Sequence, residues 1–394
     1  MNKKTKFRNV KIDIFRTIWL LLFLAFTFQD TIAQKDTEAN DSLSKFDKFN
    51  KKAEALFKII PVPIITYSTE AGNTLGLAKF NTFKAAKDDT ISDPSKISEL
   101  VSFSTKGRIN VAISNDLILK ENKYVIRSAL IYRKIPEYLF GIGNDVSIDD
   151  AEEVETDRFS FKLNALMAVA YEEGEKKDFY AGIAIDIADY ANIKTDSTSF
   201  LIEDQVSGLE GGTNIGLGLS GAYDTRDNRY NAYNGTFISA SYVIYSEKFG
   251  SSYSFNKFEL DARKYINPWL KHVIAFQATT TALGGDVPFY SLALLGGDTK
   301  MRGYYEGALR DKVLVDTQVE YRLPVWNIFG LVSWVGTGRV ANGYQDLDLD
   351  GFWISYGAGL RIKVDSEENI NLRIDFGYGP GGLHGLYFNF AEAF

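Results

Sequence analysis

Apolar and polar side chains alternate along this chain with a period of two. In 312–323, Val313, Val315, Thr317, Val319, Tyr321 and Leu323 alternate with Lys312, Leu314, Asp316, Gln318, Glu320 and Arg322. The pattern recurs in Ile354, Tyr356, Ala358, Leu360, Ile362 and Val364, and in Ile370, Leu372, Ile374, Phe376 and Tyr378 against Asn371, Arg373, Asp375 and Gly377. Such segments are strands with one apolar and one charged face. A soluble sandwich alternates too, but its strands average ~5–6 residues, whereas runs of ten or more suit a tilted strand crossing a bilayer. The predicted strands are 62–69, 73–84, 97–106, 108–119, 123–133, 157–172, 178–193, 211–224, 235–247, 252–266, 271–283, 309–323, 327–340, 352–364, 369–378 and 384–394. The first two are the least regular, and at Thr105–Arg108 one long strand competes with two.

With the first strand entering from the periplasm, short turns at 120–123, 173–177, 267–271, 324–327 and 365–369 fall on the periplasmic side. The longer loops 134–156, 194–210, 284–308 and 341–351 fall outside. That alternation belongs to an all-β, sixteen-stranded antiparallel transmembrane β-barrel. In the last strand Leu386, Phe388, Phe390 and Phe394 are expected to share the lipid-facing side, with Glu392 at the periplasmic rim.

The first 33 residues carry six bases and two acids, then the apolar run Ile18–Phe28 and small residues at Thr31 and Ala33. This predicts a signal peptide (1–33) cleaved near Ala33. A membrane anchor fits less well, because the run falls short of the ~20 residues that span a bilayer as a helix. Residues 34–60 are expected to form a short periplasmic leader, helical or disordered, ahead of a barrel over 61–394. A segment under ~40 residues rarely holds a core of its own.

The chain has 394 residues with Cys 0 and His 2, which excludes thiol chemistry, disulfides and cysteine metal centres. Its formal charge of -7 becomes more acidic once the basic start is removed, arguing against nucleic acid as a partner. His272 falls at a periplasmic rim and His384 in a Gly-rich outer turn, neither with a serine and an acid placed for catalysis. Asp346–Gly351 starts like a calcium loop but has Gly357 where the closing glutamate belongs, so a solvated acidic loop is expected. No catalytic residue, metal or cofactor is expected.

Two motifs add to the pattern. Gly296-Gly297 followed by Arg302-Gly303-Tyr304 lies in the long loop before the strand bearing Asp316, Glu320 and Arg322. Asp224-Thr-Arg226-Asp227-Asn228, closed by Gly235, lies at a predicted periplasmic turn. Together with Gly357-Ala-Gly-Leu-Arg361, Arg373-Ile-Asp375 and the Phe390–Phe394 terminus, they resemble the BamA/TamA family of outer-membrane assembly barrels (the bacterial surface antigen family), over essentially 60–394. Departures are Ala232 where a proline is usual, and Gly336 where an aspartate is common. The resemblance implies a sixth outer loop folded into the lumen, its Arg302 packed on lumen partners among Asp316, Glu320, Arg322, Arg373 and Asp375. A guanidinium suits that task because its planar fork binds a carboxylate bidentately.

The resemblance further implies a weakly paired seam between the first strand (Thr66, after Pro61 and Pro63) and the last (Gly385, Phe388, Phe394). It also implies a place in the outer membrane of a Gram-negative bacterium, contact with outer-membrane lipid, and insertion or translocation of proteins, with outer-membrane protein clients or accessory-complex subunits as partners. The family's periplasmic POTRA domains are expected to be missing, for want of room upstream. The competing expectation is a passive pore or structural barrel, and a third class is a barrel lipid enzyme using His384.

Overall fold

The computed structural model describes residues 60–68, 72–86, 89, 91–147, 151–169, 178–348, 350–366 and 368–394. The signal-peptide and leader expectations lie outside these residues, except at Ile60.

The alternating segments pair into one antiparallel sheet of 16 strands. Its first eleven strands are β1 (Val62–Ser68), β2 (Gly72–Phe83), β3 (Ser95–Ser104), β4 (Ile109–Leu119), β5 (Tyr124–Leu139), β6 (Glu152–Ala168), β7 (Phe179–Lys194), β8 (Gly212–Asp224), β9 (Gly235–Tyr245), β10 (Phe255–Ile266) and β11 (Val273–Gly285). A short hairpin inside the sixth outer loop supplies β12 (Ala293–Leu295) and β13 (Leu309–Asp311). The sheet resumes with β14 (Val313–Trp326), β15 (Phe329–Ala341), β16 (Trp353–Asp365), β17 (Ile370–Tyr378) and β18 (His384–Phe390). Every strand pairs with its chain neighbour, β11 passing directly to β14. β1 and β18 are the two ends of this order, so the sheet curls into a barrel with a seam between them.

Face assignments follow the alternation. In β14 the even positions Leu314, Asp316, Gln318, Glu320 and Arg322 are buried in the lumen, while Leu331, Val335, Ile354 and Tyr356 are exposed on the outer wall. Exposed apolar side chains in a band around a barrel are what lipid requires.

Three boundaries differ from expectation. β5 and β6 extend further outward, paired as far as Leu139 with Glu152, so the expected loop 134–156 shrinks to 140–151. Leu139 and Val154 there bury with Tyr190, Leu201, Phe289 and Tyr290, which stabilises the extension. Leu309–Asp311, expected to begin a barrel strand, belongs to the loop hairpin. At Thr105–Arg108 the chain turns, so the two expected strands form there rather than one long one. The last strand stops at Phe390, because Ala391 takes a left-handed φ of 65 and sends the tail inward.

Candidate functional site

The sixth outer loop descends into the lumen and lies flat on β17. Its backbone at Arg302 and Gly303 runs against Gly377 so closely that a Cβ on Gly377 would sit 2.5 Å from the Arg302 carbonyl carbon. Gly303 itself holds φ 113, and a Cβ there would stand 2.5 Å from the Tyr378 backbone. Two facing glycines thus permit the contact. Gly297 donates its amide to the Tyr304 carbonyl at 3.2 Å, closing the turn begun at Gly296. The Tyr304 hydroxyl donates to the Ile354 carbonyl at 2.8 Å, and Tyr387 of β18 accepts from the Gly303 amide at 2.9 Å.

Arg302 is fully buried. It donates to Glu320 at 2.6 Å and to Asp375 at 2.7 Å, and its guanidinium carbon stands 3.7 Å from the Trp334 ring centre. Stacking on an aromatic face and paired carboxylates are what make a buried guanidinium tolerable. Around it Arg322 donates to Glu320 at 2.8 Å, Arg373 to Asp375 at 3.0 Å, and Arg361 to Asp375 and, at 2.6 Å, to Glu392.

Asp316 does not join Arg302; it pairs with Lys300 at 3.4 Å and accepts from Thr279. The β14 alternation gives Asp316 the lumen face, but it lies four residues, two repeats of the pleat, outward of Glu320, where it meets Lys300. The sequence pattern gives no signal for Trp334, Glu392 and Tyr387, nor for Ser355, whose hydroxyl donates to the Arg302 carbonyl. Glu392 was expected on the rim, yet the inward turn at Ala391 places it on Arg361 inside the lumen. Phe394 likewise leaves the seam: it is buried against Tyr265, Val273 and Ala275 on the facing wall, and its carbonyl accepts from Arg322 at 2.7 Å.

The turn between β8 and β9 is built by short polar side chains. Asp224 accepts both Nε and Nη2 of Arg226 at 2.8 Å, a buried bidentate pair. Asp227 accepts the amides of Asn228, Tyr233 and Asn234, and Asn228 those of Tyr230 and Asn231. These carboxylate and amide oxygens satisfy backbone donors that a ten-residue turn would otherwise leave open. Gly235 closes it at φ 114, where a Cβ would approach the Thr225 carbonyl oxygen to 2.4 Å. Arg229 bridges Asp93 at 2.6 Å and Asp224 at 3.2 Å. Burial opposes its charge, but the two carboxylates outweigh burial and hold its pKa above the usual arginine range.

At the seam, Thr66 pairs with Thr74 of β2, while Gly385 and Phe388 pair with Gly377 and Ile374 of β17. No ladder joins β1 to β18 among the described residues. A cavity of about 540 Å³ runs along it, lined by Val62 and Ile64 of β1, Ala78 and Ser98, and β18 from His384 to Phe390.

The Omp85 superfamily domain matches residues 120–391. The chain belongs to the Omp85 superfamily. Among solved structures, this Omp85 barrel is similar to CdiB from Escherichia coli, at 12% identity and a TM-score of 0.53, over 84% of this chain and 62% of CdiB. BamA from Haemophilus ducreyi lacking POTRA domains 1–3 matches at 14% identity and a TM-score of 0.48, over 91% of this chain and 79% of that one. The chain thus spans less than two thirds of CdiB. No curated protein sequence matches it. Family and fold together place it as a β-barrel of the outer membrane. Members of the superfamily are transporters and insertases rather than enzymes.

The histidines lie apart from the lumen network. His272 bonds the Tyr321 hydroxyl at 2.6 Å, and His384 packs beside Phe376 and Tyr378 at the outer end of β18. Among the described residues no three acidic or imidazole groups converge as metal ligands.

Proposed function

We propose that this Omp85 barrel handles polypeptide at the outer membrane, inserting or translocating protein clients by itself or within an accessory complex, and that the β1–β18 seam is the working site. The observation that carries this is a seam with no strand ladder among the described residues, beside a cavity lined by Val62, Pro63 and Ile64 of β1 and by β18 from His384 to Phe390. A strand edge with free N–H and C=O groups is a template for an incoming strand. β1 is short at seven residues and contains Pro63, which lacks a donor N–H. Both features keep its pairing weak. The lumen is a poor open pore, because loop six and the inward tail fill it with paired charges.

Arg302, Gly303 and Tyr304 hold the C-terminal wall rigid in this scheme, and Asp224–Gly235 shapes the periplasmic mouth. The partners are outer-membrane lipid and the protein clients or accessory subunits that reach the seam. Photo-crosslinking in cells from Thr66 and Phe388 tests it, with Phe276 on β11, exposed and away from the seam, as a lipid-facing control. Exported or outer-membrane proteins captured at both seam positions and not at Phe276 support polypeptide handling. Capture of lipid alone, together with steady single-channel conductance, would establish the passive barrel instead.

A further inference from the structure

The ten-residue turn between β8 and β9 reaches across the periplasmic mouth and touches both flanks of the seam. On the N-terminal flank Arg229 binds Asp93 at 2.6 Å and the Tyr230 hydroxyl donates to the Pro94 carbonyl at 2.8 Å, both in the loop between β2 and β3. On the C-terminal flank Asn228 donates to the Glu368 carbonyl at 3.1 Å. Asn231 and Asn369 exchange side-chain-to-carbonyl bonds at 3.2 and 3.3 Å in the β16–β17 turn. The tail joins in, its Glu392 amide donating to the Tyr230 carbonyl at 3.3 Å.

The Tyr230 ring sits between these flanks. It packs edge-on to Phe80 of β2, with ring centres 6.1 Å apart, and Phe80 stacks on Phe390 of β18 at 5.6 Å. Val364 and Ile370 complete a buried apolar cluster that spans the seam at its periplasmic end. Along the rest of β18 the two strand edges face a cavity instead. The seam is therefore fastened at its periplasmic end, and among the described residues no strand ladder joins β1 to β18 along the rest.

We infer that Tyr230, with Arg229 and Asn231 beside it, is a clasp that keeps the periplasmic end of the seam shut, and that its release sets how widely β1 and β18 separate. The chemistry suits a reversible fastening. One ring, one ion pair and a few neutral hydrogen bonds hold two flanks that share no strand ladder, and such contacts are individually worth ~0.5–1.5 kcal/mol. A partner docking at the periplasmic mouth would compete for the Asn228, Asn231 and Asn369 side chains and so loosen the clasp. The clasp rests on the seam being the working site, but its test needs no client.

The chain has no cysteine, so spin labels can be placed at Ile65→Cys and Leu386→Cys, both outward and exposed. A second pair at Ile183→Cys and Tyr242→Cys, on β7 and β9 level with each other across β8, reports on the far wall opposite the seam. In phospholipid nanodiscs, Tyr230→Ala is expected to lengthen and broaden the seam distance by at least about one strand spacing, ~4.8 Å. The far-wall distance should stay fixed, and Tyr230→Phe, which keeps the ring, should move the seam less. Should Tyr230→Ala not fold, judged by the heat-dependent shift on gels, the double variant Arg229→Gln/Asn231→Ala carries the same expectation. A seam distance unchanged in a folded variant, or equal broadening of both label pairs, would overturn the clasp. Failure of client crosslinking with a seam that still widens would instead refute polypeptide handling alone.

Discussion

The two walls that the sixth loop touches are built differently. Toward β14–β17 it buries Arg302 in carboxylates at 2.6 and 2.7 Å and lays its backbone on Gly377. Toward β4, β5 and the loop that follows β5 its contacts are longer or more exposed: Tyr305 to Arg108 at 3.5 Å, Glu306 to Arg133 at 3.2 Å, Arg310 to Glu137 at 3.8 Å, and the Gly143 amide to the Arg310 carbonyl at 2.9 Å. The first wall is buried, charged and closely packed; between the loop and the second lies the cavity, where the small side chains of Ala78, Ser98, Ser102 and Ala112 leave space among Arg108, Arg133 and Glu137. A barrel that must stay folded with one seam unpaired needs its stiffness elsewhere, and the C-terminal wall supplies it.

Charge substitutions probe that contrast most strongly. Asp375 accepts from Arg302, Arg361 and Arg373. Asp375→Asn should therefore leave three guanidinium groups short of a carboxylate and cost roughly 3–5 kcal/mol, as breaking a buried ion pair does. Arg302→Ala should cost less, because Arg322, Arg361 and Arg373 still face Glu320 and Asp375. Urea unfolding in lipid, followed by the gel shift, ranks the two; an Arg302→Ala cost above that of Asp375→Asn would break the comparison.

Truncations sharpen it further. Leu295 is buried within the loop-six core, so Leu295→Ala should cost roughly 2–5 kcal/mol. Leu100→Ala beside the seam cavity should cost about 1 kcal/mol, since that wall already faces open space. Equal losses would mean that the two walls are packed alike. Removing the exposed Arg133–Glu306 pair by Arg133→Ala should change stability by under about 1 kcal/mol.

The smallest effect lies at a periplasmic loop near the seam. The Ser92 hydroxyl and the Glu121 amide, together with the Ser92 and Ile91 amides, hold the Asp89 carboxyl at about 2. A carboxylate depressed in the folded state stabilises above its ordinary pKa, and that contribution fades as pH falls through about 2. Asp89→Asn should lower the unfolding midpoint slightly at pH 7 and match the parent below pH 2. A deficit that persisted in acid would show that the loop depends on shape rather than on charge.

Strand number, strand direction and the lumen-facing side of β14, β16 and β17 could be read from the sequence. A bilayer and a period-two backbone leave few ways to satisfy every N–H and C=O, so local pattern is enough. The Arg302-Gly303-Tyr304 triplet and the Asp224–Asn228 turn were legible too, as motifs. Which groups meet was decided only in three dimensions. Alternation tells which face Asp316, Glu320 and Asp375 share, but not that Arg302 stops at the level of Glu320. The partner Asp375 lies 73 positions away along the chain. Nor does the pattern show that Ala391 turns the tail inward, carrying Glu392 from the expected rim and Phe394 from the expected lipid face into the lumen. Tyr230 gives no signal at all in a one-dimensional reading, because its partner Pro94 is 136 positions distant. Local periodicity fixes orientation relative to the sheet, whereas contacts across the lumen depend on barrel closure, stagger and the depth to which a loop descends.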